Sequence, residues 1–90
     1  LNGGLSMNLD KSAILQIKSV SAAQDKKPCL RIIIENNACD FVYDNCKDIN
    51  YGGYAAVSVD GVTVGTASEC KAYIDNKTLY YSDKQGFQLL

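Results

Sequence analysis

The sequence predicts a small, β-rich α+β domain: a compact sheet sandwich or flattened barrel, with one N-terminal helix and one short second helix. Three observations carry this. One amphipathic stretch near the start has apolar residues at helical spacing, and only a shorter one recurs later. Between and after them, alternating or near-continuous apolar runs are separated by turn signals, the pattern of strands. The chain has 90 residues, 47% of them hydrophobic and 21% charged, with a single proline. That length is one domain, in which folding buries about 60–70% of the unfolded chain's surface, so the core is thin.

The elements follow in order. Residues 1–6, LNGGLS, precede Met7, the chain's one methionine. They read as an expression scar, leaving 7–90 as a single domain. Residues 9–28, LDKSAILQIKSVSAAQDKKP, predict a helix. Asp10 suits the N-cap, Ala13, Ile14, Ile17 and Val20 share one face, Lys26 and Lys27 suit the end, and Pro28 forbids continuation. Leu30–Ile34 is a near-continuous apolar run with three isoleucines, which predicts a strand covered on both faces. It breaks at Glu35-Asn36-Asn37, and a second strand begins at Phe41-Val42-Tyr43. In VSVDGVTV, residues 57–64, Val57 and Val59 alternate into Asp60-Gly61, and Val62 and Val64 alternate out. A two-residue Asp-Gly loop predicts a tight type I′ hairpin. Thr66 and Glu69 are spaced as a capping box for a short helix from Ala67 to about Ile74. Thr78–Ser82 and Gly86–Leu90 read as two closing strands around an Asp83–Gly86 turn.

Composition excludes several functions. Nine basic and ten acidic residues leave a net charge of −1 with no basic run, so neither nucleic acid nor an anionic membrane is an expected partner. No segment approaches the ~20 apolar residues of a membrane span, and nothing after Met7 resembles a secretion signal, so a cytoplasmic location is expected. Histidine is absent, which removes the commonest general acid/base and a common metal ligand. No nucleophile–base signature is present, and an enzyme is not expected. The glycine-rich INYGGY lacks the lysine and helix of a phosphate cradle.

The chemistry that remains is thiol chemistry. Cys29, Cys39, Cys46 and Cys70 are separated by nine, six and twenty-three residues, spacings that match neither a zinc site nor a Cys-x-x-Cys redox motif. Cys29, beside Pro28 at a strand start, and Cys70, on the inner side of the short helix, suit burial as small hydrophobes. Cys46 stands in a polar stretch as a half-exposed thiol. Cys39 follows a polar turn between two apolar runs, where a side chain can project from a sheet. On spacing alone it remains a working thiol, a disulfide end or a small buried side chain.

The segment LRIIIENNACDFVYD, residues 30–44, resembles the A-type iron–sulfur cluster assembly proteins, the HesB/IscA-like family. In that family a Leu-Arg strand runs into a glycine-rich turn with a cysteine, then an aromatic strand. Leu30 and Arg31 take the Leu-Arg places, and Cys39 takes the place of the family's first metal-ligand cysteine. The second half resembles the family too, through the Val/Asp-rich hairpin, Ile74-Asp75-Asn76, Leu79-Tyr80-Tyr81 and Gly86-Phe87. Departures accompany these matches. Ala38, Asp40 and Phe41 replace the turn's glycine, serine and glycine, and Tyr80 replaces an aspartate. The sequence reaches Leu90 without the family's Asn-Pro segment and Cys-Gly-Cys tail.

The resemblance implies a HesB-like domain and an accessory or carrier-like role in iron–sulfur cluster assembly or iron handling. It implies Cys39 as the retained thiolate ligand for iron or an iron–sulfur cluster, with Cys46 as a second candidate. A cluster takes about four protein ligands, so one Cys39 per chain leaves donors to be found in Cys46, a homodimer partner, an assembly or recipient protein, or glutathione. Two other readings stand beside it: a cluster-free scaffold on the same fold, and a small thiol-redox protein using Cys39 with Cys46.

Overall fold

The computed structural model describes residues 4–44 and 53–90. In chain order these form β1 (Asn8–Leu9), α1 (Lys11–Ala23), β2 (Cys29–Glu35), β3 (Ala38–Tyr43), β4 (Tyr54–Val59), β5 (Val62–Ala67), a 3-10 turn (Ser68–Cys70), α2 (Lys71–Ile74), β6 (Thr78–Ser82) and β7 (Gly86–Leu89). The strands make two separate sheets, four-stranded in the order β3-β2-β5-β4 and three-stranded in the order β1-β6-β7. The architecture is therefore the expected β-rich α+β fold in its two-sheet form, with no closed barrel among the described strands.

Helix α1 begins as its sequence predicts. The Asp10 carboxylate accepts from the Ser12 backbone N–H at 3.0 Å and from the Ser12 hydroxyl at 2.5 Å, satisfying one of the donors a helix start leaves open. Those bonds, with Ser12 as the largest cause, hold the Asp10 carboxyl below its usual 3.8. The helix stops earlier than Pro28 requires. Asp25 adopts a left-handed φ of 55°, and the Lys26 N–H reaches back to the Ser21 carbonyl at 2.8 Å while the Asp25 N–H bonds Ala22 at 3.1 Å. This is a Schellman ending, with aspartate in the place usually held by glycine, and Lys26 and Lys27 lie beyond it. Ala13, Ile14 and Ile17 are buried, but Ser21 is buried where Val20 was expected.

The four-stranded sheet is built on two tight hairpins. At Asp60-Gly61 both residues have positive φ, 52° and 82°, and Val59 pairs with Val62, as a type I′ turn requires. Asn36 and Asn37 also have positive φ, 50° and 64°, and join Glu35 to Ala38. That second hairpin makes β3 begin three residues before Phe41. The central pair β2–β5 is parallel. Leu30 and Ile32 are wholly buried, whereas Ile33 and Ile34 are half-buried, so the Leu30–Ile34 run is not closed over on both faces.

The buried core joins Leu30, Ile32, Ala55, Val62 and Val64 of the larger sheet to Leu79 of the smaller one, with Ala13, Ile14 and Ile17 of α1 and Ile74 of α2. Leu5 and Met7 complete it, 5% and 4% exposed. The N-terminal segment therefore spans the two sheets. The Leu5 N–H bonds Ala56 of β4 at 3.2 Å, and the Asn8 N–H bonds Lys77, just before β6, at 3.0 Å. Asp75 holds it in between, accepting from the Ser6 N–H at 2.9 Å and from Lys71 at 2.7 Å. Leu5 falls inside the stretch that the sequence reading set aside.

The Thr66–Glu69 capping box does not form. Thr66 is a buried residue of β5, and its hydroxyl donates to the Ile32 carbonyl at 2.9 Å. Here a strand takes precedence over the cap, and the hydroxyl it buries is satisfied by that carbonyl instead. The segment after it starts as a 3-10 turn without a side-chain cap, followed by a single turn of α-helix.

Candidate functional site

Cys39 is the second residue of β3, paired with Ile34 across the hairpin, and it is exposed. It is thus a strand residue rather than a turn residue. Directly opposed antiparallel partners project from the same face. Cys39, Phe41 and Tyr43 therefore share a face with Ile34, Ile32 and Leu30, their respective partners. This is the face that the core covers, yet burial fades along it: Leu30 and Ile32 are buried, Ile34 is half-buried, and Cys39 is open to solvent.

The physical reason lies in the opposing layer. The Phe87 ring of β7 packs against Phe41 at 5.5 Å, Tyr43 at 5.9 Å and Tyr81 at 4.9 Å between ring centres. Cys39 is one same-face position beyond Phe41, toward the Asn36-Asn37 turn. Its thiol stands at the rim of an aromatic wall, on a backbone fixed by pairing with β2. Ala38 and Asp40 beside it are exposed as well.

The other cysteines separate clearly. Cys29 begins β2 and is fully buried, as its position beside Pro28 predicts. Cys70 differs from the expected core residue: it ends the 3-10 turn, is half-exposed and carries a free thiol. It lines a groove of about 320 Å³ between the ends of β2 and β5, together with Ile33, Glu35, Tyr54 and Glu69. Cys46 lies outside the described residues, as does most of INYGGY.

On the side of the sheet opposite Leu30, Arg31 makes a cluster that the sequence reading did not anticipate. Its guanidinium pairs with Asp44 at 2.6 Å, donates to the Tyr54 hydroxyl at 2.9 Å and stacks over the Tyr54 ring at 4.8 Å. It thereby links the end of β3 to the start of β4. Its Nε is shielded from solvent and has no acceptor among the described residues. A Leu-Arg pair in a strand carries no signal for this, because both partners are set by the pairing order of four strands.

Among the described residues no three Cys, Asp or Glu side chains are gathered closely enough to hold a metal ion. None of the described helices is long and apolar enough to cross a membrane.

No family model matches the chain, and no curated protein matches it in sequence. Solved structures do. The solution NMR structure of a protein from Aquifex aeolicus superposes with a TM-score of 0.76 at 20% identity, covering 100% of this chain and 95% of that one. The crystal structure of Escherichia coli SufA, a protein involved in biosynthesis of iron–sulfur clusters, superposes with a TM-score of 0.72 at 15% identity, covering 99% and 85%. Likeness over nearly the whole length of both chains, at identities this low, establishes architecture: this chain has the HesB/IscA-like fold.

Proposed function

We propose that this protein is an accessory, carrier-like component of iron–sulfur cluster assembly or iron handling, without catalytic activity of its own. In this reading Cys39 is the thiolate that holds the metal cargo. One conjunction carries it. A fold shared with SufA presents an exposed thiol at the rim of a sheet, on a segment whose Leu-Arg strand and following cysteine resemble the family's ligand segment. Fold alone does not assign chemistry; the exposed thiol on that segment is what favours a metal role.

Cys39 supplies one donor, and a cluster takes about four. The remaining donors come from beyond the described residues: Cys46, a second copy of the chain, an assembly or recipient protein, or a small thiol such as glutathione. A cytoplasmic location and partners drawn from iron–sulfur assembly belong to the same proposal.

The test is anaerobic reconstitution with iron and sulfide, followed by visible absorption and bound-iron analysis. Wild type is expected to take up iron, Cys39→Ser to lose that uptake, and Cys70→Ser to retain it. Cys46→Ser shows whether that residue contributes a donor. Uptake by the Cys39 variant equal to wild type would remove the central residue of the reading. A wild-type protein that stays colourless and iron-free would favour the cluster-free scaffold.

A further inference from the structure

We draw no further inference here: the strongest candidate, the groove between the ends of β2 and β5 lined by Glu35, Glu69 and the half-exposed Cys70 thiol, carries nothing, because no second observation in the structure points to a ligand for two carboxylates and a lone thiol.

Discussion

Cys39 and Cys29 show how much a few residues of chain position change a thiol. Each lies at or near the start of a strand, yet Cys29 is enclosed and Cys39 is open. Reaction with an alkylating reagent requires access as well as thiolate. In native protein under reducing conditions, Cys39 is therefore expected to react first, Cys70 more slowly and Cys29 only on unfolding. Timed alkylation with peptide-level mass spectrometry reads this order. Labelling of Cys29 as fast as Cys39 would mean that β2 does not hold its start closed. Cys39→Ser should leave the melting temperature nearly unchanged, since an exposed side chain loses little packing. Loss of iron uptake in that variant would then report on the thiol itself.

At the scale of elements, the hairpins and the clamp around Asp75 make the strongest claims. Gly61 has φ +82° with open space around its missing Cβ, so a substitution there is opposed by backbone strain and not by crowding. Gly61→Val forces a β-branched residue into that region, with a cost of about 1–3 kcal/mol. For a domain of this size, that lowers the melting temperature by at least roughly 4 °C. An unchanged thermal transition would show that the turn has another form. Asp75 links α2 to the N-terminal segment, and its carboxyl is held below the usual 3.8, first by Lys71 and then by the Ser6 N–H. A depressed carboxyl contributes fully above its unfolded-state value, and the contribution disappears as pH falls through the lower folded-state value. Stability should therefore drop below about pH 4, and Asp75→Asn should flatten that part of the profile. Denaturant titrations across the acid range measure this. The pair is exposed enough that salt should weaken the effect.

The whole molecule is two sheets held face to face by a thin core, and the N-terminal segment ties them across one side. Leu5 is 5% exposed and contacts both the core cluster and β4. Replacing a buried leucine by alanine typically costs about 2–5 kcal/mol, with segments near a chain end at the low side. Leu5→Ala is thus expected to cost about 2 kcal/mol, lowering the melting temperature by roughly 8–16 °C. An unchanged thermal transition would mean that the segment frays in solution and the sheets cohere without it. Removing residues 1–6 should destabilise at least as much, because the bonds that the Leu5 and Ser6 N–H groups donate to Ala56 and Asp75, and the one that Ser6 accepts from Asn76, go with the side chain.

Local signals in the sequence determined a good part of this protein. Asp60-Gly61 between alternating valines specifies its hairpin, Asp10 with the following apolar face specifies the start and burial of α1, and the apolar runs specify a β-rich domain. Each depends on residues within a turn or two of one another. Exposure of Cys39 could be anticipated from the polar turn before it, but the extent of β3 could not. Asn36-Asn37 is a weaker turn signal than Asp-Gly, and pairing with β2 is what draws Ala38 and Cys39 into the strand. Tertiary contacts alone decided the rest. Thr66 leaves its cap because β5 buries it, and its hydroxyl then donates to a carbonyl of β2; Arg31 finds Asp44 and Tyr54 because β3, β2, β5 and β4 lie in that order. Leu5 enters the core because its segment runs from β4 to the start of β6, bonded to Ala56 and Lys77 on the way. A contact between residues some seventy positions apart, such as Ser6 with Asp75, leaves no periodicity in the chain, and it exists only once the sheets have packed.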